Sequence, residues 1–262
     1  MSEKKNKKKK NNILLWIIVA ALVCVIGFSA YIVVPWFIAD RKSAKANNDV
    51  KNTVHESSLV DADHNFHFTH AAWNELYAIN PDFKAYMAYD DEFVSEPIVQ
   101  WKDNEFYLNH WIDTTWSDNG TFFFDCTNDL NDTNVTIYGH NVFYTLDKPK
   151  MTPMVELLDQ SAYLQHPEFN IWYEDREARY LITNIFYWDA VQDVKFAFTQ
   201  RNFDTEEEFN EYTSYVNAKN LIDPIDTLKY GDRFVSLQTC KDLYGSTRIV
   251  FICKEISSKP YE

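Results

Sequence analysis

One cysteine near the C-terminal end of the chain lies in a setting that suits nucleophilic chemistry. Cys240 follows the apolar run "FVSLQT", so we predict that it lies at the end of a strand. Lys241 and Arg248 place positive charge nearby, which favours the thiolate form of a cysteine. His140 closes a second predicted strand, "NVTIYGH". A thiol, an imidazole and a guanidinium at neighbouring strand ends would supply the nucleophile, the proton donor and the fixed cation of an acyl-transfer reaction.

Two other cysteines and a group of histidines fit structural roles better. Cys126 ends a predicted strand with no ionisable base close to it in sequence, and Cys253 alternates with apolar residues in "RIVFICKEI". We predict that both are small buried residues. His64, His67 and His70 are spaced three apart, and on a helix these positions drift around the surface, so only a pair could share a metal. We therefore predict no metal site and no other cofactor.

The N-terminal part of the chain predicts a membrane anchor. Residues 1–12 form a polar leader with six lysines, and residues 13–39 contain no charged side chain. At about 1.5 Å per residue, a helix of that length covers the roughly 30 Å hydrocarbon layer. The lysines precede the apolar span, so the positive-inside rule predicts a cytoplasmic leader. Residues 40–60 are then a juxtamembrane stalk, and residues 61–262 form one extracellular domain.

The charge of this extracellular part excludes nucleic acid as a partner. Six of the 25 basic residues and one of the 39 acidic residues lie in residues 1–10, so residues 40–262 carry 19 basic and 38 acidic side chains. Such a surface repels phosphates. The chain has only 5 glycines, which argues against a glycine-rich phosphate-binding loop. Three of its cysteines lie outside the predicted span, so at least one is unpaired unless it bonds another chain.

The pattern of the remaining segments is typical of a β-barrel with added helices. Three stretches predict helices: "FTHAAWNELYAINPDF", "MVELLDQSAYLQH" and "TEEEFNEYTSYVNAKNLI". In the last of these, Thr205 and Glu208 suit a capping box. Seven segments rich in β-branched and aromatic residues predict strands: "PIVQW", "TFFFDC", "NVTIYGH", "FNIWYED", "ARYLITNIFYWDA", "DRFVSLQTC" and "TRIVFICKEI". Many short strands with few helices predict a closed or nearly closed barrel.

The segment around the cysteine resembles the sortases, the cell-surface cysteine transpeptidases of Gram-positive bacteria. The family pattern at the nucleophile is T-L-x-T-C, followed by an arginine that opens the next strand. Here Ser236 replaces the first threonine, while Leu237, Thr239, Cys240 and Arg248 match. The run "TIYGHN" is similar to the segment that carries the family's histidine.

Two further stretches resemble class B sortases in particular. They are "NPDFKAYM" with "PIVQWKDNEFYLNHW", and the helix-bearing residues 199–222 before the last two strands. The resemblance covers roughly residues 70–256. It implies a mainly β fold, the sortase-type closed barrel of about eight strands with added N-terminal and peripheral helices.

The resemblance also implies a reaction. Cys240 would attack the Thr–Gly-type bond of a sorting motif in a secreted protein and form a thioester. His140 would protonate the leaving amine, and an amine of a peptidoglycan precursor or of a pilin would then resolve the thioester. Arg248 would hold the substrate backbone and the oxyanion.

Five more residues receive roles from the resemblance. Asp242 matches an acidic position in class B members and would orient the histidine, although a solvated loop carboxylate fits equally well. Asn104 and Leu108 match positions that line the class B substrate groove; a strand-cap amide and a core leucine are the structural alternatives. Gln238 and Thr239 lie beside the nucleophile, and we predict that they bind substrate.

Two other functions are compatible with the same residues. An extracellular cysteine peptidase would use the same nucleophile, but water would resolve the thioester. An anchored binding or adhesion module would carry an inert cysteine. Product analysis with and without an amine acceptor separates the first alternative from a transpeptidase, and labelling of Cys240 by an alkylating reagent tests the second.

Overall fold

The computed structural model describes residues 2–60, 66–142, 150–242 and 245–260. Its α-helices in this part of the chain, α1 to α4, are Ser2–Ser57, His70–Ile79, Gln160–Gln165 and Glu206–Ala218. Its strands, β1 to β10, are Leu59–Val60, Phe66–His67, Phe83–Ala88, Ser95–Val99, Phe122–Phe124, Asn134–Tyr138, Glu168–Tyr173, Glu177–Asp189, Phe234–Cys240 and Thr247–Lys259.

The chain divides into two compact units, Met1–Ala46 and Asn47–Glu262. The first unit lies within α1. It contains Leu15–Pro35, a stretch of 21 residues with a mean hydropathy of 2.8 and no buried side chain, which is long and apolar enough to cross a membrane. The end of α1 is part of the second unit and buries Val50 and Val54; the expected domain boundary at residue 61 stays a prediction.

Eight strands of the second unit close into a barrel in the order β10-β8-β7-β3-β4-β5-β6-β9, which confirms the predicted architecture. Neighbouring strands are antiparallel except for the pairs β4–β5 and β6–β9. Strand β3 was not among the predicted strands. It is buried on both faces over most of its length, because its outer residue Tyr86 stacks on Phe68, with ring centroids 4.7 Å apart. Strands β1 and β2 form a separate two-stranded sheet.

Strand alternation separates the apolar side chains into two layers. Leu237, Ile249 and Cys253 belong to the cluster that fills the barrel interior, as the alternation of "RIVFICKEI" predicted. Phe234 and Val250 belong to a second cluster, on the outer face, which α4 covers. Burying one such large apolar side chain contributes about 1.5–3 kcal/mol, so both layers hold the strands that carry the cysteine and the arginine.

Two of the three predicted helices differ in detail from their sequence patterns. The Thr205 hydroxyl caps α4 by accepting from Glu208 N at 3.2 Å, but the Glu208 carboxylate accepts from Asp204 N and so forms a shifted capping box. The stretch predicted as one helix before β7 is broken into a 3₁₀ segment, Pro153–Leu158, and the short α3. The break falls at Asp159 because its carboxylate accepts two N–H groups of the α3 first turn.

Candidate active site

Three adjacent strands bring the predicted reactive residues to one rim of the barrel. Cys240 ends β9 and is paired directly with Arg248 at the start of the antiparallel β10. Strand β6 lies parallel to β9 on the other side, with Tyr138 paired with Gln238. The next backbone N–H after Tyr138 donates to the Gln238 carbonyl at 3.2 Å, so the ladder continues. One residue further on, His140 reaches the level of Cys240.

The three side chains share the outer face of the barrel. Alternate residues of β6, β9 and β10 pack in the interior, and His140, Cys240 and Arg248 occupy the opposite parity. Each of the three is partly exposed. Cys240 is a free thiol, as are the other three cysteines of the chain. The arrangement therefore offers an accessible nucleophile between an imidazole and a guanidinium.

Gly139 allows the end of the strand that leads to His140 to lie close to the barrel core. Gly139 faces the interior, where an added Cβ would lie 2.7 Å from the ring of Phe122 and 3.0 Å from the side chain of Met151. Both neighbours are fully buried. A larger residue would push the strand end outward, and the imidazole that follows it would move as well.

The His140 imidazole is held by the Leu108 carbonyl, with Nε2 and the oxygen 2.8 Å apart. A carbonyl oxygen only accepts, so Nε2 carries a proton and Nδ1 is the acceptor of the neutral ring. Burial lowers the pKa of His140, the Leu108 hydrogen bond opposes that shift, and the charge of Lys150 adds to it. A neutral His140 is therefore a base at neutral pH. The stability that the neutral ring contributes is present above about pH 6.5 and is lost as pH falls through the folded pKa.

The residue after the histidine fixes the backbone of the nucleophile. Asn141 Nδ2 donates to the Cys240 carbonyl at 3.0 Å. This contact was missed in the sequence, although the asparagine stands next to His140 in the "GHN" run. The hydrogen bond joins the end of β9 to the segment that carries the imidazole, so it fixes the backbone of Cys240 relative to that of His140.

The arginine keeps part of its guanidinium for other partners. Arg248 Nη1 donates to the Gly245 carbonyl at 2.9 Å and to the Thr247 carbonyl at 3.3 Å, and within the described residues these contacts use Nη1 alone. Lys241, which was expected to add charge near the thiol, lies on the opposite strand parity. Its ammonium is 4.2 Å from the Tyr187 ring centroid. Of the two expected cations, the arginine shares the face of Cys240.

Asp242 lies in the loop that follows the nucleophile. Its exposed carboxylate accepts from the backbone N–H of Gly245, and residues 243–244 of this loop lie outside the described residues. The structure gives the His140 imidazole the Leu108 carbonyl as its partner instead. The predicted orienting role of Asp242 stays a prediction, and the solvated-loop alternative matches the contact that the structure has.

Asn104 uses both ends of its amide within the protein. Its Oδ1 accepts from Cys126 N at 2.7 Å, and its Nδ2 donates to Asp125 Oδ2 at 2.9 Å. Tyr138 donates to the same carboxylate oxygen at 2.8 Å. These contacts hold the segment after β5 against β6 and agree with the structural alternative for Asn104. Cys126 was expected to be buried, but it is partly exposed because it lies in the turn after β5.

The other predicted substrate-binding residues lie at different depths. Leu108 ends a 3₁₀ segment, Phe106–Leu108, and is partly exposed, so it is not a core leucine. Gln238 is partly exposed on the same face as Cys240. Thr239 is fully buried on the interior parity, so its side chain has no exposed surface for a substrate. Substrate binding by these residues stays a prediction.

The histidine group considered as a metal site is spread over different elements. His67 lies in β2, His70 begins α2, and His64 lies outside the described residues. The three positions therefore do not share one helix. In the described ranges, no group of three or more His, Cys, Asp or Glu side chains could hold a metal ion.

Similar proteins carry one family name. No family model matches the chain. A curated relative, Sortase B of Staphylococcus aureus, is 24% identical over 239 residues, which are 90% of this chain and 93% of that protein. Sortase B of Listeria monocytogenes is 27% identical over 168 residues, 63% of this chain and 65% of that protein. The crystal structure of Clostridium perfringens sortase B has 28% identity and a TM-score of 0.63, and the match covers 71% of this chain and all of that structure.

Proposed function

We propose that this chain, a class B sortase and therefore a cysteine transpeptidase, cleaves a C-terminal sorting motif of secreted proteins and joins them to an amine of the cell wall or of a pilin. One observation carries the proposal. Cys240 and Arg248 are paired across neighbouring strands, beside His140, on one partly exposed face of the barrel rim. Such a rim is open to an extended peptide and to a second substrate.

In the first half of the proposed reaction, Cys240 becomes acylated. The His140 Nδ1 atom takes the thiol proton, and Sγ attacks the scissile carbonyl carbon of the sorting motif. The C–S bond forms as the carbonyl oxygen gains negative charge, which the Arg248 guanidinium stabilises. When the C–N bond breaks, the imidazolium returns its proton to the leaving amine. The new N-terminal fragment of the substrate remains on Cys240 as a thioester.

In the second half, an acceptor amine resolves the thioester. The amine nitrogen attacks the thioester carbon, His140 takes its proton, and the Cys240 sulfur leaves. The same rim serves both halves, because the acceptor enters where the first leaving amine departed. Water in place of the amine would give hydrolysis by the same steps.

Product analysis tests this reaction. The full chain in detergent micelles is given a peptide library and a short glycine peptide as the amine. We expect the accepted peptides to be cut at one bond, and their N-terminal fragments to carry the added amine by mass spectrometry. Hydrolysed fragments alone, at saturating amine, would favour the cysteine peptidase. No cleavage of any peptide, together with a Cys240 that resists alkylation, would favour a binding module.

The proposal includes a membrane anchor. The apolar stretch Leu15–Pro35 has the length and hydropathy of a single span, and six lysines precede it in residues 1–12. The positive-inside rule then assigns the leader to the cytoplasm and residues 40–262 to the outside of the cell. A catalytic domain outside the membrane would meet secreted proteins and cell-wall amines directly.

Protease accessibility tests that orientation. An impermeant protease added to intact protoplasts should degrade residues 40–262 and spare the leader, because only the former would face the medium. Detection with one antibody to each end of the chain reports both outcomes, and lysed protoplasts are the control in which both ends are cut. Protection of the large domain in intact protoplasts would reverse the proposed orientation.

A further inference from the structure

A buried ion pair lies behind the histidine. Lys150 Nζ is 2.8 Å from Glu96 Oε2 and 3.4 Å from the centroid of the Trp111 ring. The exposed fractions of the Lys150 and Glu96 side chains are 2% and 1%. Burial lowers the pKa of Lys150 to about 8, and the Glu96 carboxylate opposes that shift. Two charges have thus been taken out of water at the edge of the site.

The lysine touches both segments that meet at the imidazole. Lys150 forms an isolated bridge with Asn141, and the N–H of the residue after Lys150 donates to the His140 carbonyl at 3.0 Å. The Trp111 ring under the ammonium lies three residues beyond Leu108, whose carbonyl accepts from the imidazole. Lys150 therefore joins the two segments: its backbone is bridged to the strand end that carries His140, and its side chain lies on the segment that carries the hydrogen-bond acceptor of the imidazole.

The glutamate anchors this arrangement to the barrel wall. Glu96 lies in β4 between Val94 and Ile98, which both belong to the interior cluster. Glu96 alternates with these two residues and so faces the same side of the strand, where an apolar side chain would be expected. Its second oxygen is 3.7 Å from the ammonium of Lys51, near the end of α1. A buried ion pair is seldom more stable than well-packed apolar residues, so its presence here points to a role in fixing geometry.

We propose that Lys150, held by Glu96 and Trp111, is a positioning residue that keeps the His140 imidazole on the Leu108 carbonyl. Lys150 does not touch the reacting atoms. It fixes which nitrogen of the ring carries a proton and where the other nitrogen lies relative to the thiol. The expected change in kcat rests on the proposed function, whereas the effect on the position of the His140 ring does not depend on it.

The test removes both charges together. Lys150→Met alone would leave the buried Glu96 carboxylate with only the more distant ammonium of Lys51, at 3.7 Å, which destabilises the fold, so the variant is Lys150→Met with Glu96→Gln. The matched control is Lys254→Met. Lys254 also pairs with carboxylates, at 2.9 and 3.0 Å, but it lies six residues along β10 from Arg248, towards the opposite barrel end.

Two measurements on the full chain in micelles read the outcome. Histidine-selective NMR, assigned with a His140→Asn sample, follows exchange of the His140 Nε2 proton with solvent. We expect this exchange to be about 10-fold faster in the double variant, and kcat for an accepted peptide to fall about 10- to 100-fold while KM stays within about 2-fold. The Lys254→Met control should keep the wild-type values of the exchange rate, of kcat and of KM.

Each remaining outcome decides the proposal. Wild-type proton exchange and wild-type kcat in a folded double variant would overturn it. A wild-type chain that cleaves no peptide would contradict the proposed function, and the proton exchange would still test the positioning role. If near-UV circular dichroism shows that the double variant is unfolded, Trp111→Leu takes its place, since it loosens the Leu108 segment and keeps the ion pair. Unchanged exchange in that variant would also overturn the proposal.

Discussion

We expect the Cys240→Ala variant to cleave none of the peptides that the wild-type chain accepts. In the proposed reaction the thiol supplies the bond-forming atom, and the neighbouring groups only move a proton or stabilise charge. The expected loss is about 10⁶-fold, the scale seen when the nucleophile of a serine protease is removed. Mass spectrometry of the wild-type chain during turnover should find an acyl adduct on Cys240, and the variant should have none.

The other cysteines of the second unit provide matched controls. Cys126 is partly exposed, so Cys126→Ala removes an accessible thiol without touching the three strand ends, and it should keep wild-type turnover. Cys253 is fully buried in the barrel interior, so Cys253→Ala should lower the melting temperature and leave the chemistry intact. Wild-type turnover in Cys240→Ala, or an adduct on Cys126, would refute the assigned nucleophile.

The rim could be predicted because strands obey local rules. A cysteine after "FVSLQT" ends its strand at the rim, a histidine after "NVTIYG" lies two residues beyond the end of its strand, and alternation decides the face of each side chain. That these two ends are neighbours was a hypothesis from the residues, which the resemblance strengthened, because no local pattern contains the pairing of strands distant in sequence. Strand β3 escaped the same reasoning because both of its faces are buried, so the alternation that marks a half-exposed strand is absent.

The contacts that hold the imidazole and the thiol in place could not be predicted. The Leu108 carbonyl that binds His140 is 32 residues away in sequence. Every residue has a backbone carbonyl, so the residue type does not indicate which one accepts the hydrogen bond. The carboxylate that pairs with Lys150 is 54 residues away. A lysine in a polar segment suggests a solvated side chain, and only the tertiary structure buries it. The hydrogen bond that the Asp242 carboxylate accepts from Gly245 N, within its own loop, could not be predicted either, and the orienting role of Asp242 stays a prediction.

Arg248→Lys is expected to fold normally and to lose turnover by about 10²-fold, the scale of removing one oxyanion-hole donor. A guanidinium presents a planar fork of five N–H donors, and a lysine ammonium presents a single point charge. Of the two contacts that Nη1 makes, the one with the Gly245 carbonyl is exposed, and the one with the Thr247 carbonyl is part-buried and 3.3 Å long, so their loss should change the melting temperature little. Arg248→Ala should be worse still. Steady-state kinetics with one accepted peptide and a thermal melt measure both properties.

A second arginine controls for the substitution itself. Arg233 donates to the Leu130 carbonyl at 3.0 Å and precedes β9, at the opposite end of that strand from Cys240, so Arg233→Lys should keep wild-type turnover. An alkylating reagent should still label Cys240 in Arg248→Lys, because the thiol stays exposed. Near-wild-type turnover in that variant would show that the planar fork of N–H donors is not required, and it would leave only a charge role for the arginine. A large fall in melting temperature would instead indicate that Arg248 stabilises the fold. A residue that acts only on the oxyanion makes no stabilising contact in the absence of substrate.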